Sequence, residues 1–121
     1  MPSDRVLIVE DNIDSQNMLL WLLEHYEIGC DVCTSAAEAL QQLAARPYRG
    51  LVVDLRLPDM DGWTLMNRVR TESADVQVVA VTAYHSPELR DKALKAGFDA
   101  YFAKPINGEA FIREIRRILA L

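Results

Sequence analysis

The 121 residues carry a formal net charge of −5, and 50% are hydrophobic and 26% charged, the balance of one soluble globular domain spanning 1–121. No apolar run reaches the ~20 residues that a bilayer crossing needs. The first apolar stretch, Val6 to Val9, is too short for a signal peptide, so no membrane contact is expected and the expected compartment is cytoplasmic. The acidic balance argues against direct nucleic-acid binding, which needs a basic face; Arg113, Arg116 and Arg117 read as the solvated side of a helix.

In chain order, Val6–Val9 reads as a buried strand that runs into Glu10 and Asp11. A helical pattern follows, with Leu19, Leu22, Leu23 and Tyr26 on one face. Cys30–Thr34 is the second strand candidate, and Asp31 within it marks a sheet edge. Cys30 and Cys33 lie three apart in that strand and face opposite ways, so two reduced thiols are expected, not a redox or metal pair. Ser35 and Glu38 have the spacing of a capping box, in which each side chain satisfies an orphan amide of the second helix.

The third strand, Leu51–Asp54, ends on a carboxylate. The fourth, Val76–Val81, runs into Thr82, and Ser86–Pro87 then reads as an N-cap with proline at the first helical position. Gly97 can close that helix in the left-handed conformation. Ala100–Phe102 is the fifth strand, soon followed by Lys104, and Asn107 can cap a last helix carrying Phe111, Ile112, Ile115, Ile118 and Leu119.

Strands that alternate with helices predict an open α/β sandwich, a parallel sheet with helices on both faces. In such a sheet, ligands bind beyond the carboxyl ends of the strands, where strand order reverses. Four strands deliver Glu10, Asp11, Asp54, Thr82 and Lys104 to that edge. Crowded carboxylates repel unless a cation intervenes, and a donor set of oxygens alone suits Mg²⁺, with Mn²⁺ as an alternative. Such a site is equipped for phosphoryl transfer, with an aspartate as nucleophile. There is no Gly-x-x-x-x-Gly-Lys loop and no Gly-x-Ser-x-Gly elbow. His25 and His85 have no metal-ligand spacing and read as surface or loop residues.

Four blocks in order, LIVEDN, VVDLRLPDMDG, VTA and YFAKP with their intervals, resemble the response-regulator receiver domain of two-component phosphorelay signalling over essentially the whole chain. The resemblance implies a flavodoxin-like, doubly wound (βα)5 fold with a five-stranded parallel sheet in the order 2-1-3-4-5. It implies that Asp54 is the phosphoacceptor and that Asp11, Asp54 and the backbone carbonyl of Arg56 ligate Mg²⁺, with Glu10 acting through a coordinated water. Thr82, Ala83 and Lys104 would contact the phosphoryl group, with Thr82 and Tyr101 as the switch pair. The Lys104–Pro105 peptide would be cis. Arg56, Tyr84 and Pro105 would modulate the site, Tyr84 by shielding it from water and Arg56 by pairing a phosphoryl oxygen.

A histidine kinase or histidine phosphotransfer protein is the implied donor, docking at Asp14, Ser15, Met18, Pro105 and Ile106, with Trp21 either bordering that surface or packed on the sheet. A downstream effector protein or output domain would read the fourth helix, fifth strand and fifth helix. The chain would be a signalling switch, not an enzyme with turnover. The alternatives are a pseudo-receiver that only binds partners and an aspartyl-phosphate phosphatase. The phosphatase expects Asp-x-Asp after the first strand, where this chain has Glu10–Asp11.

Overall fold

The computed structural model describes residues 5–72 and 75–120. Five strands alternate with five helices: β1 (Val6–Val9), α1 (Ile13–His25), β2 (Cys30–Cys33), α2 (Ala36–Ala45), β3 (Gly50–Asp54), α3 (Gly62–Glu72), β4 (Gln77–Thr82), α4 (Pro87–Ala96), β5 (Ala100–Ala103) and α5 (Gly108–Leu119). Within the described sheet every strand pairing is parallel, and the order is β2-β1-β3-β4-β5. Strand limits move by a residue or so from the sequence reading: Thr34 falls outside β2, and β4 starts at Gln77 and takes in Thr82.

Side chains alternate along the strands and feed two cores. Leu7, Val9, Leu51, Val53, Val78 and Ala80 face α2, α3 and α4. Val6, Ile8, Val52, Val79 and Val81 face α1 and α5, where Phe111, Ile115 and Leu119 fill the layer. β1, β3 and β4 are covered on both faces, which is why they read as unbroken apolar runs. The cysteines divide as the period of two requires: Cys30 packs toward the α1/α5 layer and Cys33 toward the other. Both are free thiols, and burial pushes them up to about 11 and about 12.

The helix ends follow their capping residues. Asn12, Ser35, Ser86 and Asn107 each accept an amide of the first turn, and Gly97 ends α4 at φ 116°. Ser35 accepts from Glu38, but Glu38 reaches back to the amide and hydroxyl of Thr34 rather than to Ser35, so the predicted capping box closes one residue early. β2 is a sheet edge, and its Asp31 is held there by Arg5, Arg46 and Tyr48. Arg113, Arg116 and Arg117 lie on the exposed side of α5. Among the described residues no helix is long and apolar enough to cross a membrane.

Candidate functional site

Register places the polar residues. Val9 lies opposite Val53, so Glu10 and Asp54 each follow one step past the same rung. Asp54 lies opposite Val81, so Thr82 follows beside it. Thr82 lies opposite Ala103, and Lys104 follows, donating its backbone N–H to the Thr82 carbonyl at 2.8 Å. β1 has β2 on one side and β3 on the other, so the chain crosses to opposite sides of β1, and the crevice opens at the carboxyl ends of β1 and β3.

The cluster is polar and largely buried. Glu10 is 0% and Asp54 8% exposed. Lys104 Nζ donates to Asp54 Oδ2 at 3.0 Å and to Glu10 Oε1, bridging the two carboxylates. Asp54 Oδ1 accepts the backbone N–H of Arg56 at 2.8 Å, so both acceptor oxygens of Asp54 are oriented. Burial pushes the Glu10 carboxyl above its ordinary range, and Asp54 adds to this against the opposing pull of Lys104. Burial acts to lower the Lys104 ammonium, but its bonds to Glu10 and Asp54 prevail and hold it above the usual lysine value.

Ligand oxygens of Glu10, Asp11 and Asp54 all lie within 4.8 Å of one another, with Asp11 exposed to solvent. Three carboxylates at that spacing, with no thiolate or imidazole among them, fit a hard divalent ion with open positions for water and phosphate oxygens. An open cleft of about 300 Å³ over Asp54 is lined by Asp11, Asn12, Ser15, Asp54, Arg56, Ala83, Tyr84 and Lys104. A larger hollow of about 570 Å³ lies between Tyr26 and the α5 arginines. It brings together no carboxylate cluster and no nucleophile, so chemistry and not volume picks the site.

The chain belongs to the response regulator receiver domain family.

Its residues 6–116 match that family. It is 34% identical over 114 residues to a 14.6 kDa protein of Leptolyngbya boryana, covering 93% of this chain and 87% of that one. It is 37% identical over 101 residues to the transcriptional regulatory protein PmrA of Pectobacterium parmentieri, covering 84% of this chain and 46% of PmrA. The fold superposes with a TM-score of 0.88 on the receiver domain of Ssk1, solved in complex with the histidine phosphotransfer protein Ypd1 from Saccharomyces cerevisiae. That pair shares 27% identity, and the match covers 98% of this chain and 90% of the other.

Other residues named from the sequence take definite places in this receiver. Thr82 is buried, and its Oγ1 accepts the N–H of Tyr84 at 3.0 Å. Tyr101 is half-buried, with its hydroxyl 3.1 Å from His85 Nδ1, so His85 is engaged beside the site. The Arg56 guanidinium lies 3.9 Å from the centroid of the exposed Tyr84 ring, the two side chains forming one stack at the cleft mouth. Lys104–Pro105 is cis. Trp21 is 61% exposed and stacked on His25, so it borders the outer face of α1 and does not pack on the sheet.

Gln16, which the sequence reading passed over, is buried and donates its side-chain amide to the Glu10 carbonyl. A polar residue at helical spacing from the buried Leu19 and Leu23 was the available signal.

Gly62 opens α3 against the acceptor strand. A Cβ there would lie 2.9 Å from both the Asp54 carbonyl oxygen and Leu55 Cα, backbone atoms that cannot rotate away. Gly62→Ala is expected to cost about 1–3 kcal/mol, the range for overpacking. Urea unfolding of the variant checks this, and a change below ~0.5 kcal/mol would mean that α3 shifts freely.

Proposed function

We propose that this receiver is a phosphorylation switch that accepts a phosphoryl group on Asp54 in a Mg²⁺-dependent reaction. The observation that carries the reading is the Glu10, Asp11, Asp54 cluster bridged by Lys104. Glu10, Asp11, Asp54 and the Arg56 carbonyl would hold the Mg²⁺, Glu10 through a water. The ion supplies positive charge where phosphoryl oxygens gather. An Asp54 carboxylate oxygen attacks phosphorus as the bond to a donor histidine nitrogen breaks, leaving imidazole and an aspartyl phosphate. Lys104 follows the transferred charge, exchanging its carboxylate contacts for a phosphoryl oxygen.

The phosphoryl group brings close to two negative charges and three acceptor oxygens, enough to bias a two-state surface. Thr82 would turn its hydroxyl from the Tyr84 amide to the phosphoryl group, with Ala83 lining the pocket. Tyr101 would leave His85 and turn inward, changing α4, β5 and α5 as read by an effector or output domain. The chain is modified once per signal and does not turn over a substrate.

The donor would be a histidine kinase or phosphotransfer protein, as the complex of the Ssk1 receiver with Ypd1 suggests. The docking face would join Asp14, Ser15 and Met18 with Pro105 and Ile106, flanked by Ile13 and Trp21, both more than half exposed. No contact with nucleic acid or membrane is required, in keeping with the net charge of −5 and cytoplasmic signalling.

The test is transfer from a labelled phosphohistidine protein: label should move to this chain only with Mg²⁺, and a chelator should stop it. Retention of label on every donor tried would count against the reading. Tyr84→Ala, which removes half of the stack over the cleft, is expected to speed dephosphorylation about 3- to 10-fold, a barrier change of roughly 0.6–1.4 kcal/mol. An unchanged rate would rule out shielding by Tyr84.

A further inference from the structure

The loop between β3 and α3, residues 55–61, carries Arg56, which lines the cleft over Asp54. Leu55 donates its backbone N–H to the Val81 carbonyl of β4 at 3.0 Å, and Arg56 donates its own to Asp54 Oδ1 at 2.8 Å. The loop's other bonds, those of Asp59 apart, close it on itself or on α3. The backbones of Arg56 and Asp61 form an isolated antiparallel bridge, the Gly62 amide donates to the Leu55 carbonyl at 3.1 Å, and Asp61 accepts from the Thr64 amide at 2.8 Å. Asp59 differs. Its Oδ1 accepts the Ala36 amide at 3.0 Å and its Oδ2 the Ala37 amide at 2.9 Å, across to the first turn of α2.

These two bonds add to a cap that α2 already has. Ser35 Oγ takes the Glu38 amide at 3.2 Å, and the Ser35 carbonyl takes that of Ala39. The Asp59 carboxylate is exposed to solvent, and the two amides hold it below the ordinary carboxylate range. It buries no apolar surface and fills no core gap. What its bidentate grip does is fix the outer end of the loop to a second, independent helix.

We infer that Asp59 is a positioning residue: by pinning the 55–61 loop to the start of α2, it holds the Arg56 backbone where the metal and phosphoryl site requires it. This deepens the proposed function and rests on the reading of Arg56 as a carbonyl ligand. Residues that orient metal ligands from outside typically change affinity 10- to 100-fold when removed. A tether acting through a few loop residues belongs at the low end.

The experiment compares Asp59→Ala, Asp59→Asn and Ser35→Ala in the whole chain, with Mg²⁺ binding followed by titration calorimetry and backbone amide exchange followed by NMR. Asp59→Ala should weaken Mg²⁺ binding about 10-fold and speed exchange at Arg56 and Gly62. Asp59→Asn, with one acceptor oxygen left, should fall between it and the unsubstituted chain. Ser35→Ala loosens the same helix end without touching the loop, so it should leave both readouts unchanged even where it lowers stability.

The inference is overturned if Asp59→Ala leaves Mg²⁺ affinity and the Arg56 and Gly62 amides unchanged, or if Ser35→Ala reproduces its effects. Should the unsubstituted chain bind no Mg²⁺, the reading of the metal site falls. Faster exchange at Arg56 and Gly62 in Asp59→Ala would still uphold the tether in that case, and unchanged exchange would remove it as well.

Discussion

Lys104→Ala in Mg²⁺-free buffer at pH 7 is expected to lose about 2–4 kcal/mol of stability. The ammonium bridges Glu10, whose side chain is 0% exposed, and Asp54, whose side chain is 11% exposed. Removing one partner of a buried ion pair typically costs ~3–5 kcal/mol, because the remaining charge keeps its desolvation penalty. Glu10 limits that cost. Burial already lifts its carboxyl above the ordinary range, so it can take up a proton when its cation is gone.

The sign of the pH dependence follows from those two groups. Lys104 is held above its ordinary value, so its contribution is present below the unfolded lysine value and is lost only as pH rises through the folded one. The raised Glu10 favours the folded state when protonated and opposes it when ionised. The deficit of Lys104→Ala is therefore largest from neutral pH up to the ordinary lysine range; it shrinks as pH rises through the folded lysine value, and again as pH falls into and just above the carboxylate range.

Mg²⁺ should restore the variant more than it stabilises the unsubstituted chain, since the ion replaces the missing charge. At 100 times its dissociation constant, a ligand adds about 2.7 kcal/mol. Phosphoryl transfer should still fall by roughly 10²–10³, the loss typical of removing one group that stabilises transition-state charge. Thermal melts across pH, with and without Mg²⁺, check the stability half. A deficit independent of pH and Mg²⁺ would mean that Lys104 acts through packing alone.

Asp54→Asn is expected to abolish phosphorylation while leaving the fold intact. Asparagine keeps the shape and can keep an acceptor for the Arg56 amide, now 2.8 Å from Asp54 Oδ1. It is far too weak a nucleophile to form the acyl phosphate bond, and it withdraws one of three clustered carboxylates. A hydrogen bond to a charged group is worth about 1.5–3 kcal/mol, and a loss on that scale would lower Mg²⁺ affinity roughly 10- to 150-fold. Stability should change by less than ~1 kcal/mol, because one fewer buried negative charge offsets the weakened contact with Lys104.

What could be read in advance was what depends on neighbours in the chain. Apolar runs such as Val6–Val9 are strands because both faces are covered, and Ser86–Pro87 and Gly97 marked helix ends through local backbone chemistry. Glu10, Asp54, Thr82 and Lys104 converge because each follows a strand, and parallel register then brings them to one edge.

Contacts between distant segments were not legible. The Arg56–Tyr84 stack, the His85–Tyr101 bond and the reach of Asp59 to α2 join residues whose types carry no pairing signal. The outward pose of Trp21 also had to come from the structure, since an aromatic at that helix position suits either a core or a docking face. Gln16 differs from these, because its spacing from Leu19 and Leu23 places it on the buried face of α1 from the sequence alone.

Phosphorylation of Asp54 is read out most simply by the intact mass of the chain after incubation with a small-molecule phosphodonor and Mg²⁺, beside Asp54→Asn under the same conditions. A single phosphoryl adduct is expected on the unsubstituted chain, not formed when a chelator is present from the start and absent from the variant. An adduct that persists in Asp54→Asn, or none with any donor, would contradict that expectation; in the second case the receiver fold would serve only to bind partners.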